Sequence, residues 1–129
     1  MNAVSAKVRQ LVDVELAAAN ERFPQFHSQH EGWAIIKEEV DELEEALIYT
    51  KLTLNDLWEE IKHDRKAKSA VQDVFANAIN AACEAIQVAA MCQKFLDMEG
   101  SIHDGEGGRR EEVAGGADEV QEVFGDGQR

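Results

Sequence analysis

The eight residues Glu38-Glu39-Val40-Asp41-Glu42-Leu43-Glu44-Glu45 include six acids and no base. Residues three and four apart are neighbours on a helix, so like charges crowd together, and each such pair costs about 0.2–0.5 kcal/mol. A helix tolerates this cost if its acids face water or if a cation lies among them. A solvated acidic face is the simpler interpretation of these eight residues alone.

A further acid, Glu84, lies about forty residues downstream and favours the interpretation that a cation is bound among the acids. Between Asp73 and Lys94 the only formal charge is Glu84, in a stretch that is apolar on nearly every side of a helix. Burying an ionised carboxylate without a partner is costly. Glu84 must therefore be protonated, paired with a base, or bound to a metal ion.

The acids fall into two motifs of matching spacing. Glu39 and Glu42 are three residues apart, and so are Glu84 and Gln87. If their helices pack side by side, these three carboxylates and one amide oxygen converge. Mg²⁺ prefers oxygen ligands and completes its shell with water and substrate phosphates. We therefore predict that the four residues bind Mg²⁺, for which Mn²⁺ can substitute. We also predict that Glu38 and Glu39 are the catalytic carboxylates, which act on a water molecule that attacks a metal-bound phosphate.

Four more side chains are candidates for contacting a phosphate-bearing substrate. His27 and Trp33 could contact an aromatic group of that substrate, Lys62 begins a basic cluster that could hold its phosphates, and Asn80 shares the helix face of Glu84. Each has a competing structural interpretation. Trp33 lies on an apolar stripe and could pack in the core, basic residues suit the end of a helix, and Asn80 could make ordinary polar contacts.

Helices are the elements that must position these residues. Apolar residues at helical spacing predict a first helix over 3–22, which ends before Pro24 because the residue preceding a proline is pushed out of the helical region. Ser28, with Glu31 three residues later, has the form of a capping box and predicts the start of a second helix. Glu39 lies beside the apolar stripe of that helix, so it should be the most nearly buried of the acids.

Two further helices are predicted downstream. Thr53-Leu54-Asn55-Asp56 resembles the cap of a short third helix over 54–66, and Ser69-Ala70-Val71-Gln72 resembles a capping box that opens a fourth helix extending to about Met98. A helix that is apolar on every side is buried on every side. The fourth helix is therefore either the central member of a bundle or packs on another subunit.

Composition limits the partners of the chain. The 129 residues include 13 basic and 26 acidic side chains, for a net charge of −13, which disfavours non-specific binding to nucleic acid or anionic membrane. We expect neither a signal peptide nor a membrane span, because we find no apolar run near the roughly 20 residues that a span needs. Cys83 and Cys92 lie on different sides of one predicted helix, which favours reduced thiols and a cytoplasmic location.

The composition changes at residue 99. Eight of the nine glycines lie in residues 100–129, where acids are frequent and apolar residues are few. Such a segment buries too little apolar surface to fold alone. We therefore predict a helical domain over 1–98 and a disordered, acidic, glycine-rich tail over 99–129.

The motifs resemble those of the MazG-like all-α nucleotide pyrophosphohydrolases, a superfamily that includes the dimeric dUTPases and dCTP pyrophosphatases. The resemblance covers roughly residues 4–98 and rests on Glu38-Glu39-x-x-Glu42, on Glu84-Ala85-Ile86-Gln87-Val88-Ala89-Ala90-Met91, and on Phe26-His27 before the first motif. It implies an all-α bundle of four to five helices that forms a homodimer or a dimer of dimers.

The resemblance also implies an activity, the Mg²⁺-dependent cleavage of a nucleoside triphosphate into the monophosphate and pyrophosphate. By motif position, Glu39, Glu42 and Glu84 would be metal ligands, and Glu38 would support them or bind a second ion. The second motif of the family usually ends in Asp, whereas this chain has the uncharged Gln87. That difference favours an alternative, a non-catalytic nucleotide sensor or oligomeric adaptor. A plain structural dimer, with Glu84 paired to a base across the interface, is a third possibility.

Overall fold

The computed structural model describes residues 3–102, with side chains described to residue 100. Three helices, α1 (Ser5–Arg22), α2 (Gln29–Lys62) and α3 (Lys68–Ile102), account for nearly all of this part of the chain, which contains no strand. The predicted all-α class is confirmed. The predicted count of four to five helices is wrong for the described residues. The tail predicted over 99–129 lies outside them, apart from the end of α3.

The helix count differs because α2 continues through the position where a new cap was predicted. The Thr53 hydroxyl donates to the carbonyl oxygens of Tyr49 and Thr50, both at 3.0 Å. A threonine inside a helix commonly bonds back to the preceding turn in this way. The residues predicted to form a separate third helix therefore belong to a single helix of 34 residues.

The predicted end of the first helix and the predicted start of the second are confirmed, and the predicted start of the last helix is wrong. The chain leaves α1 at Phe23, whose extended backbone precedes Pro24. Ser28 caps α2, since its Oγ accepts from the backbone N–H of Glu31 at 3.1 Å. Ser69 does not cap α3, because that helix already begins at Lys68.

The core lies where the connector between α1 and α2 (residues 23–28) meets the later part of α3. Its buried residues are Phe26, Ala90, Met91 and Met98, with half-buried side chains from all three helices around them. Gly32 allows α2 to approach the ring of Phe95 closely, as there is no room for a Cβ atom. The connector is also tied to α3, because Gln25 Nε2 donates to the carbonyl oxygen of Lys94 at 3.0 Å.

Much of the apolar surface of α2 and α3 is left uncovered in the single chain. Phe75 is 70% exposed, and Trp58 and Ile79 are also exposed. The segment Lys68–Gly100 of α3 is long and apolar enough to cross a membrane by length and composition, contrary to our expectation from the sequence. Those properties are weak evidence for a span, because a helix covered by protein has them too.

Candidate metal centre and adjoining cavity

The helices α2 and α3 bring the two acidic motifs together. One carboxylate oxygen from each of Glu39, Glu42 and Glu84 lies within 4.8 Å of the other two. Two oxygens on opposite sides of one Mg²⁺ ion are about 4.2 Å apart, since each Mg–O bond is about 2.1 Å long. Small rotations of the side chains would therefore allow all three residues to bind one ion.

Among the described side chains, no base compensates the charge of the cluster. Glu39 Oε2 and Glu84 Oε2 are buried and have no hydrogen-bond partner. Within the part of the chain whose side chains are described, no Lys or Arg forms an ion pair with Glu39, Glu42 or Glu84. Buried carboxylate oxygens without donors are costly, so the cluster has the composition of a cation site.

The pKa values of two of these acids are raised by burial and by the neighbouring carboxylates. Burial, followed by the negative charges of Glu42 and Glu84, raises the pKa of Glu39. Burial, followed by the negative charge of Glu42 and a hydrogen bond with its side chain, raises the pKa of Glu84. A divalent cation would oppose both effects, because it stabilises the ionised carboxylates.

Other acids of the run face elsewhere, as expected from their helical positions. Asp41 points away from the cluster and accepts two hydrogen bonds of 2.6 Å from Lys37 Nζ. Glu44 is exposed. Glu38 is also exposed, but it borders the same cavity as Glu39, and its charge contributes to the raised pKa of Glu39.

A cavity of about 630 Å³ adjoins the cluster and lies between α1, the connector, α2 and α3. Glu38, Glu39 and Gln87 border it, so the fourth predicted ligand faces the same cavity as two of the acids. Its remaining wall includes acids, aromatic rings and two bases: Glu15, Glu21, Glu31, Phe23, Phe26, Arg22 and Lys94. A cavity of this size can accommodate a small ligand.

The structure separates the four predicted substrate-binding residues. Asn80 is exposed one turn before Glu84, and His27 is exposed with its Nδ1 3.0 Å from Glu31 Oε2. Lys62 pairs with Glu59 at the end of α2, 20 residues beyond Glu42, which corresponds to about 30 Å along a helix. Lys62 therefore does not lie near the cluster of its own chain.

Trp33 is neither in the core nor at the cavity. It is 64% exposed and borders a separate, shallow apolar groove of about 500 Å³ with Cys92 and Phe95. The core-packing interpretation of Trp33 is wrong because the apolar stripe of α2 is wider than the surface that α1 and α3 cover. Cys92 and Cys83 are both free thiols.

Our sequence reasoning missed Lys94, a buried base on the wall of the cavity. Its position in the sequence could have indicated this role. It is the first base after the long apolar stretch, and it follows Gln87 by seven residues, or about two helical turns, so both residues lie on the same face of α3.

No protein-family model, no curated protein and no solved structure matches this chain.

Proposed function

We propose that this chain is a Mg²⁺-dependent nucleoside triphosphate pyrophosphohydrolase of the MazG-like type. The observation that carries the proposal is the convergence of Glu39, Glu42 and Glu84, two of which have buried oxygens without a hydrogen-bond partner. A structural cluster of acids would have donors around it. These acids have an adjoining cavity instead, which is where a metal-bound phosphate chain would lie.

Different residues of the cluster and the cavity would have different roles in the reaction. Glu39, Glu42 and Glu84 would hold the divalent cation, which would neutralise charge on the phosphate oxygens when it is bound. The amide of Gln87 adds a neutral oxygen ligand or a hydrogen-bond donor to the phosphates. Glu38 is exposed to the cavity and can accept the proton of the attacking water.

We further propose that the working form is a homodimer or a dimer of dimers in the cytoplasm. The exposed apolar side chains of α2 and α3 support this assembly. Two ionisable residues, Glu84 and Lys94, lie in the middle and later part of α3, and ionisable groups are costly in a bilayer. They favour a partner subunit over lipid as the covering of this helix.

The test of the activity is pyrophosphate release from a panel of NTPs and dNTPs, with Mg²⁺ or Mn²⁺. We expect turnover of at least one substrate, and its loss in EDTA. Glu84→Gln should abolish turnover, whereas Glu44→Gln, which alters an exposed acid of the same run, should leave it unchanged. The proposal fails if the folded wild-type protein releases no pyrophosphate from any member of the panel.

Gln87 supports a second candidate, a nucleotide sensor or adaptor without catalysis. An amide attracts Mg²⁺ less than the Asp found in the related motif, so the chain could bind a nucleotide and fail to cleave it. Isothermal titration calorimetry separates the alternatives. Tight nucleotide binding without pyrophosphate release favours the sensor, and the absence of both metal and nucleotide binding favours the adaptor.

A further inference from the structure

Lys94 is buried without an acidic partner. Only 2% of its surface is exposed. Among the described residues, its Nζ donates one hydrogen bond, to the carbonyl oxygen of Phe23 at 3.5 Å, and makes one cation–π contact, with the ring of Phe26, whose centroid is 5.1 Å away. No carboxylate among the described side chains forms an ion pair with it. A lysine is rarely this buried unless it is paired with a negative charge.

The contacts that Lys94 makes leave hydrogen-bond donors of its ammonium group unsatisfied. An ammonium has three donors and no acceptor. The single hydrogen bond, at 3.5 Å, is at the long limit for an N–H to oxygen contact. The aromatic face offers attraction but no lone pair. An oxygen anion is the group that would complete these surroundings.

The position of Lys94 relates it to the proposed metal centre. It borders the cavity that Glu38, Glu39 and Gln87 also border. It follows Gln87 on the same face of α3 by two turns, or about 10.5 Å, and helical side chains lean toward the N-terminus of their helix. Lys94 and the acids therefore border one cavity at positions about two helical turns apart along α3.

We infer that the Lys94 ammonium binds a phosphate oxygen of the same ligand whose other phosphates face the carboxylate cluster. This inference rests on the proposed function and adds a binding residue to it. Five of the side chains that border the cavity are glutamates, which repel an anion, and only Arg22 and Lys94 are basic. Of these two bases, Lys94 is the buried one, so its charge is the less screened by water.

Lys94 could instead have a structural role alone. Phe23 ends α1, so the ammonium also complements the carbonyl end of that helix. A structural role predicts that removing the charge lowers stability and leaves ligand affinity unchanged. Gln25→Ala is a matched control, because Gln25 ties the same connector to the Lys94 carbonyl without touching the ammonium.

The experiment uses isothermal titration calorimetry on the full chain, first with Mn²⁺ alone and then with inorganic tripolyphosphate, in Mn²⁺ and in EDTA. We expect Lys94→Met to bind Mn²⁺ no more weakly than wild type and to lose about tenfold to one-hundredfold in affinity for tripolyphosphate, the usual range for a hydrogen bond to a charged group. Gln25→Ala should stay within about twofold of wild type, since no ligand contact is removed.

The outcomes separate this inference from the proposed function. The inference is overturned if folded Lys94→Met binds tripolyphosphate as tightly as wild type does. It is also overturned if wild type binds Mn²⁺ but no tripolyphosphate. Neither result contradicts the proposed metal centre. A wild type that binds no Mn²⁺ refutes the proposed function, and the inference then survives only if tripolyphosphate binding in EDTA depends on Lys94. If Lys94→Met does not fold, the ¹⁵N signal of the wild-type Lys94 ammonium should shift on addition of Mg²⁺ and tripolyphosphate, and an unchanged signal overturns the inference.

Discussion

The carboxylate of Glu84 is half-buried on α3, and no base among the described side chains pairs with it. Its surroundings therefore favour either a proton or a divalent cation. The same holds for Glu39, which lies across from it on α2. The chemistry of the cluster thus depends on pH and on metal, and each dependence can be measured separately.

The first prediction concerns pH in the absence of metal. The pKa values of Glu39 and Glu84 are raised above 4.5, so the folded chain holds these protons more tightly than the unfolded chain does. Where the folded state binds more protons, the free energy of unfolding falls as pH rises. In EDTA, the stability of wild type should therefore fall relative to that of Glu84→Gln from about pH 4.5 upward.

Urea unfolding of both proteins between pH 4.5 and pH 8 measures this difference. Glu44→Gln is the control, because it removes an exposed acid of the same run. Its stability should follow that of wild type over the whole range. Parallel curves for wild type and Glu84→Gln would show that the pKa of Glu84 is not raised.

The second prediction concerns the metal. A ligand that binds only the folded state stabilises it by about 2.7 kcal/mol when present at 100 times its Kd. Mg²⁺ should therefore raise the melting temperature of wild type, and Glu84→Gln should lose most of that increase. Thermal unfolding with and without Mg²⁺ is the measurement. An equal increase in both proteins would mean that Mg²⁺ binds elsewhere.

At the scale of the elements, the approach of α2 to α3 depends on Gly32. A Cβ atom at this position would collide with the ring of Phe95, with Cε2 at 2.8 Å, and would lie 3.1 Å from Cδ2 of Phe26. Phe26 is buried in the core and Phe95 packs against it, so a shift of either ring would disturb the core. The glycine allows α2 and α3 to pack closely beside the core.

The third prediction follows from this contact. Gly32→Ala should lower the free energy of unfolding by about 1–3 kcal/mol, because overpacking outweighs the gain in helix propensity. Gly100→Ala is the matched control, since that helical glycine has no atom within 4 Å of an added Cβ. It should be neutral or stabilising by up to about 1 kcal/mol. Chemical denaturation of the two variants decides the matter, and equal effects would rule out the close approach.

The elements also show what the sequence could and could not predict. Ser28 is predictable as a cap because Glu31 follows it three residues later, which is the spacing of a capping box. The role of Thr53 is not predictable from the sequence, because a threonine can cap a new helix or bond back within a continuing one, and its local sequence is the same in both cases. The meeting of Glu39 with Glu84 could be expected from their spacing, but the burial of Lys94 depended on the position of the connector.

For the molecule as a whole, the exposed apolar side chains are the main unexplained feature of the single chain. Phe75 and Ile79 lie one turn apart on α3, and Trp58 and Ile61 lie near the end of α2. Exposed apolar surface of this extent is typical of proteins that associate. The net charge of −13 opposes association at low ionic strength, and salt screens that repulsion.

The fourth prediction is therefore self-association that strengthens with salt. Analytical ultracentrifugation should give a dimer or tetramer at micromolar concentration, and Phe75→Glu should weaken the assembly by at least about tenfold, since it buries a charge in an apolar interface. Gln10→Glu, an exposed substitution of the same charge on α1, should leave it intact. A wild type that sediments as a monomer at all salt concentrations would contradict the prediction.

The ties between the connector and α3 bear on how the protein reaches its native state. Gln25 and Lys94 are 69 residues apart in the chain, and Phe23 and Lys94 are 71 apart. Joining such distant segments closes a long loop, whose entropic cost comes before the contacts that offset it. A ribosome must therefore release nearly the whole helical unit before this wall of the cavity can exist, so a shortened translation product would carry the acidic run of α2 without a finished pocket beside it.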